Sequence, residues 1–404
     1  MISYPGSMSP QLRRPHRHAL TGVLAGVVAG VLGSVLLLAP LPAAGVTEEP
    51  EPAPEPAPVV STSPPRVVGE AVFDDRLRAK HGSWTTADPE AGLSFTYRWL
   101  RDGERVRGAR ERTYRPGLDD LRHRLAVEVT AHDDEGARAT AVSAATGPVR
   151  RADLEPRSAP RVLGTQRFGH VLRGDAGRWS TRPTTVRWRW LRDGEPVTGA
   201  RGRARAVAPD DVGHRLRVQV RVDAPGHRPA RATSRVTAPV RHRVDLRRTV
   251  TYSITTRGRT TTKVRDFARL AQQTYDDPRG WRGAGVGFRR VAEGGAFTLV
   301  LAQASTLPSF HPICSTQYSC RVGRYVIINQ DRWRTATPPW NAAGGSLRDY
   351  RHMVVNHETG HWLGLGHGSC PGAGQPAPVM QQQSKGLGGC RFNPWPVAGE
   401  RGRV

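Results

Sequence analysis

The chain has 404 residues, enough for roughly two to four domains. With 37% hydrophobic and 24% charged residues it fits soluble domains joined by polar linkers, not a polytopic membrane protein. Its formal charge is +25, carried almost wholly by arginine, with lysine only at Lys80, Lys263 and Lys385. The arginines are spread along the chain, with no basic helix and no aromatic–basic stacking platform, so no nucleic-acid partner is expected.

Residues 1–18 read as a cytoplasmic N-terminal segment with Arg13, Arg14 and Arg17. An uncharged apolar run follows over 19–39, long enough for a ~30 Å hydrocarbon core. Positive charge before it, and Glu48, Glu49, Glu51 and Glu55 after it, place the N-terminus inside. The expectation is a transmembrane signal anchor, giving a single-pass cell-membrane protein with extracellular C-terminal domains and membrane contact through this N-terminal helix. The alternative is a signal peptide cleaved near Leu41-Pro42-Ala43-Ala44, giving a secreted protein. Residues 40–64 form a Pro/Glu-rich linker, whose tract 48–58 favours an extended spacer.

The next two hundred residues contain a duplication. Trp99-Leu100-Arg101-Asp102-Gly103-Glu104 returns as Trp190-Leu191-Arg192-Asp193-Gly194-Glu195, an offset of 91. At the same offset His123-Arg124-Leu125 matches His214-Arg215-Leu216. Leu125, Val127 and Val129 alternate with other residues, as do Leu216, Val218 and Val220, and each Trp-containing run ends in an Asp-Gly turn. Repeats 65–150 and 160–240 therefore read as two small all-β sandwiches. They resemble bacterial Ig-like modules, a resemblance that implies spacing or cell-envelope contacts. Trp99 and Trp190 read as buried core residues, with carbohydrate stacking as the other reading.

Residues 241–404 remain. Thr249 to Thr256 alternates like a strand, and Val264, Phe267, Ala268, Ala271 and Tyr275 follow helical spacing. Segments 287–291, 297–302 and 325–329 read as strands, and Leu347, Tyr350, Val354, His357 and His361 as a helix. The order is β, α, β, β, β, α. All four cysteines, Cys314, Cys320, Cys370 and Cys390, fall here. An even count without a Cys-x2-Cys pair suggests two disulfides, and proximity pairs Cys314 with Cys320 and Cys370 with Cys390.

The last helix carries His357-Glu358-Thr359-Gly360-His361. Residues four apart lie on one helix face, ~6 Å apart along the axis, so His357 and His361 can share one Zn²⁺. Glu358 is placed to act as base on water held there. In a continuous helix His367 would lie ~9 Å beyond His361. Gly364 and Gly366 allow the chain to leave the helix and turn His367 back as third ligand.

The series His357-Glu358-x-x-His361-x-x-Gly364-x-x-His367 resembles the extended metzincin signature. The domain as a whole is similar to an actinobacterial family of unknown function built on this motif. The resemblance implies an α+β zinc peptidase fold, Met380 as the methionine turn below the metal, and a peptide or protein substrate. Gln382 stands where some metzincins have a tyrosine, and Gly368 leaves the subfamily unassigned. The expected molecule is multidomain: two Ig-like sandwiches followed by a metzincin-like endopeptidase that cleaves peptide bonds through a zinc-bound water activated by a glutamate. The alternatives are a catalytically inactive envelope adhesion or scaffold protein, and a zinc amidase acting on cell-wall peptides.

Overall fold

The computed structural model describes residues 59–86, 90 and 92–404. The cytoplasmic segment, the apolar run 19–39 and the tract 48–58 lie outside the described residues. Among the described residues no helix is long and apolar enough to cross a membrane. The longest, Leu347–Trp362, has 16 residues and is polar along much of its length, so it reaches only about 24 Å. The single-pass membrane location expected from the sequence is therefore corrected, because no described helix provides a span.

The Trp-Leu-Arg-Asp-Gly runs are central strands of two β-sandwiches. In the first, Leu93–Arg101 pairs with Glu104–Arg105 and with Leu125–Asp133, which pairs in turn with Arg138–Val142, all antiparallel. A second sheet of Arg66–Val68, Leu77–Lys80 and Thr113–Tyr114 closes over it. Leu77, Ala79, Trp99, Leu125, Val127 and Val129 form the core between them. The second sandwich repeats the plan. Its four-stranded sheet is Glu195–Pro196, Thr185–Arg192, Leu216–Asp223 and Ala230–Thr233, and its three-stranded sheet is Arg161–Leu163, Val171–Asp175 and Ala204–Ala206.

Asp102 and Gly103, like Asp193 and Gly194, have positive φ, as a tight hairpin turn requires. Trp99 and Trp190 are completely buried, so the core reading holds and these rings are not open for stacking. Their indole N–H groups donate to the carbonyls of Glu111 and Gly202, each at 2.9 Å. The first sandwich begins earlier than the 65 boundary. Val60–Ser63 already pairs with Ser83–Thr85, and Val59 packs on Ala131 and Ala137.

The C-terminal domain is built on one mixed sheet. In chain order its elements are β1 (Arg248–Arg257), α1 (Val264–Asp276), β2 (Val286–Arg290), β3 (Phe297–Ala302), β4 (Cys320–Val322) and β5 (Tyr325–Asn329). Helices α2 (Gln330–Thr335), α3 (Pro338–Ala342), α4 (Leu347–Trp362) and α5 (Ala398–Arg401) follow. The strand order is β2-β1-β3-β5-β4, parallel except for β4. Every residue of β3 is buried, as a central parallel strand covered on both faces demands. One face carries α1 and α4, with Phe267, Tyr275, Tyr350 and Val354 in a cluster with Leu299 and Ile328. The other face carries Val300, Leu307, Cys314 and Ile327.

The expected order of elements is present, with β4 and the short helices added. A three-residue strand beginning at a disulfide cysteine leaves no alternation to read. It is nonetheless the strand that forms the rim of the site.

Candidate metal centre

Helix α4 starts at Ser346, whose hydroxyl oxygen accepts the N–H of Asp349 at 3.0 Å. Its apolar stripe turns inward on the sheet, which carries His357, Glu358 and His361 to the floor of a cleft of about 650 Å³. The helix ends at Trp362. Gly364 then adopts φ 96°, and the Leu365 N–H closes on the Gly360 carbonyl at 3.0 Å. This reversal returns His367 to the other two histidines, as the glycine spacing suggested. A Cβ on Gly364 would meet nothing, so the need for glycine there is purely one of backbone conformation.

The three imidazoles converge through their Nε2 atoms. His361 Nε2 lies 3.2 Å from Nε2 of His357 and 3.2 Å from Nε2 of His367. The opposite ring nitrogens of two of them are held. His357 Nδ1–H donates to the Val379 carbonyl at 2.7 Å, and His361 Nδ1–H donates to the Leu365 carbonyl at 2.8 Å. Each of these bonds fixes the tautomer that leaves Nε2 a bare lone pair. Lone pairs held face to face repel one another unless a cation lies between them. Four-coordinate zinc with bonds of ~2.0–2.1 Å sets its ligand nitrogens about 3.3 Å apart, so the donor set fits that ion.

Burial and mutual repulsion favour the neutral rings. The His357 pKa is pushed down to about 3 by burial and by His361, and those of His361 and His367 are lowered chiefly by burial. Glu358 lies buried beside them, and burial pushes its carboxyl up to about 8. Met380 is completely buried beneath the helix. A Cβ on Gly360 would come within 2.3 Å of Met380 Sδ and 2.9 Å of the Trp281 ring. The glycine inside the motif is thus what lets the methionine pack there.

The sequence reading missed the residue that holds this turn. Glu400, on α5, accepts N–H groups from Met380 at 2.8 Å and from Val379 and Val397 at 3.0 Å and 2.7 Å. Because Val379 also anchors His357, Glu400 positions the first ligand at one remove. Its place as the third residue of a short terminal helix, where an acid can reach back to the Val397 N–H, was the only signal. Asn356 was also missed: its backbone carbonyl accepts the Trp281 indole N–H at 3.0 Å and its amide donates to Pro394 O at 2.9 Å.

Both cysteine pairs form as expected, Cys314–Cys320 and Cys370–Cys390, and no cysteine is free among the described residues. They brace opposite walls of the cleft. One wall is the loop 314–320 running into β4, and the other is the loop 382–385 beyond Met380. Lys385 Nζ reaches over the Tyr318 ring from one wall to the other, 5.5 Å from its centroid. Lys385 and Arg321 are the cations of the lining, and Glu358 is its one acid. Gln382 also lines the cleft.

Residues 229–395 match a family described as a protein of unknown function, DUF3152, which is less than half of the chain. The match starts just before the last strand of the second sandwich, contains all three histidines and stops short of Glu400. No curated protein matches. Among solved structures, the three N-terminal domains of the bacteriophage RB49 outer capsid protein Hoc align at 13% identity and TM-score 0.18. That alignment covers 50% of this chain and 65% of the other, slightly under two thirds. Murine CEACAM1b aligns at 10% identity and TM-score 0.17, over 45% of this chain and 96% of its own. The tandem Ig repeats of Dlar align at 13% identity and TM-score 0.13, over 43% and 96%. Such scores carry no argument; the description as Ig-like sandwiches rests on the strand pairing given above.

Proposed function

We propose that the C-terminal domain is a zinc-dependent endopeptidase of metzincin type, working in an oxidising compartment. One observation carries the reading: three imidazole Nε2 atoms converge at the floor of a cleft beside a buried glutamate. His357, His361 and His367 would hold the ion. Zinc supplies, when bound, Lewis-acid polarisation of water and of a substrate carbonyl.

The chain's own residues do the rest. The carbonyls of Val379 and Leu365 keep the first two rings in their ligating tautomer. Glu358, next to His357 but turned ~100° away around the helix, lies outside the ligand direction. Its carboxylate accepts a proton from the attacking water and returns it to the leaving amine. Strand β4 is the sheet edge beside this floor, so a substrate laid along it in extended form continues the sheet through backbone hydrogen bonds. The cleft walls exclude bulk water from its middle. Arg321 and Lys385 make its potential positive, which favours peptides with acidic side chains near the bond cut.

The test is a peptide library incubated with the protein, with and without a chelator. Chelator-sensitive internal cleavage, restored by added zinc and enriched for acidic neighbours, supports the proposal. If the protein binds one zinc per chain yet cleaves nothing, the scaffold reading replaces it.

A further inference from the structure

The duplication lets the two sandwiches be compared position by position. In the first, Thr96, Thr130 and Thr140 stand directly opposite one another on three neighbouring strands. The hydroxyls of Thr130 and Thr140 share a hydrogen bond of 2.9 Å. Ninety-one residues on, in the same register, these positions are Arg187, Arg221 and Arg231. Arg189 and Arg217 share the same outward face by strand alternation. Gln219 replaces Glu128, which in the first sandwich pairs with Arg105 at 3.0 Å.

Five arginines thus occupy one outward sheet face of the second sandwich. A single acid, Asp223, stands at the end of its strand on that face. Among the described residues none of the five arginines makes an ion pair, and Arg221 Nε is buried with no hydrogen-bond partner, as is Asp223 Oδ2. Like charges set directly opposite on paired strands destabilise a sheet. The first sandwich carries uncharged threonines at the three matching positions of the same scaffold. The arginine ladder therefore opposes the fold's own stability, and its interactions within the molecule do not account for it.

We propose that this face binds a polyanion whose backbone carries phosphodiester charges, of the kind found in cell-envelope glycopolymers. Neighbouring strands lie ~4.8 Å apart and alternate residues along a strand ~6.7 Å, giving a flat grid of cations instead of a pocket. A flat grid suits an extended chain. Each guanidinium offers a planar fork that matches two phosphate oxygens at once, and a phosphodiester stays charged at any pH the protein meets. The face has no exposed aromatic ring, so bases find no stacking platform. It has no exposed large apolar side chain, so nothing enters a bilayer. The binding is separate from the histidine site and independent of whether that site cleaves peptides.

The experiment measures binding of the full chain to poly(glycerol phosphate) by titration calorimetry over a range of salt. The variant Arg187→Thr/Arg221→Thr/Arg231→Thr installs the residues its sibling repeat already carries, and its melting temperature should not fall. Its affinity should drop at least tenfold. The slope of log affinity against log salt should become shallower by roughly two, at ~0.7 for each phosphate that is no longer neutralised. Adding Thr96→Arg/Thr130→Arg/Thr140→Arg to that variant should recover binding on the first sandwich. Unchanged affinity in the threonine variant overturns the proposal. So does tighter binding of the wild type to polyglutamate or to anionic phospholipid vesicles than to poly(glycerol phosphate).

Discussion

Glu358 and His361 sit three residues apart on one helix, and their replacements separate base from ligand. Glu358→Ala should keep one zinc per chain and near-normal folding while turnover falls at least ~10²-fold, the usual minimum for a positioned general base. His361→Ala should lose zinc affinity and activity together. Metal analysis of both purified variants decides, and loss of zinc from the glutamate variant alone reverses the roles. Glu400 gives a sharper test, since it never faces the cleft. Glu400→Gln turns an amide N–H₂ toward backbone N–H groups that now find oxygens. It should destabilise the domain by about 1–3 kcal/mol and weaken zinc binding roughly 10–100-fold. A competition titration against a chromophoric chelator reads this, and unaltered affinity would remove Glu400 from the site. The three histidines were legible in the sequence because helical spacing and one glycine fix where they point. Glu400 was not, because its partners are backbone N–H groups, which carry no sequence identity.

Helices α1 and α4 meet at Thr274 and His352, buried and 2.8 Å apart. Burial, aided by nearby Arg348 and Arg279 and opposed by Asp277 and Asp349, holds the His352 imidazole down at about 4 from an ordinary 6.5. Between those values the unfolded chain binds a proton that the folded chain refuses. This contribution to stability is therefore complete above pH 6.5 and lost as the pH falls toward 4. Thermal unfolding followed across that range should fall more steeply for wild type than for His352→Gln, which can still donate to Thr274. Parallel curves would assign the acid sensitivity elsewhere. At this scale the long periodic elements were readable: α1, α4, β1, β3 and β5 all lie where alternation or helical spacing put them. Strand β4 was not, because its position comes from pairing with β5 and from the Cys314–Cys320 bridge, neither of which leaves a local pattern.

Each unit of the molecule has its own core: Trp99 and Trp190 centre the sandwiches, and a separate cluster around Phe297 fills the C-terminal domain. The 241–404 fragment should therefore fold and retain peptide cleavage, as circular dichroism and a library digest would establish. Loss of activity in a folded fragment would make the sandwiches part of the catalyst. The two bridges do not belong to those cores. Cys314–Cys320 lies in one wall of the cleft and tethers the approach to β4, while Cys370–Cys390 closes the loop that contains Met380 and the other wall's Lys385. Their placement makes the proposed chemistry conditional on the bridges being formed. Mild reduction should slacken the walls and abolish peptide binding while both sandwiches stay folded, which tryptophan fluorescence and a labelled-peptide titration can follow side by side. The proposed peptide cleavage would thus be governed by thiol oxidation as well as by metal, a second condition written into the two loops that flank the histidines.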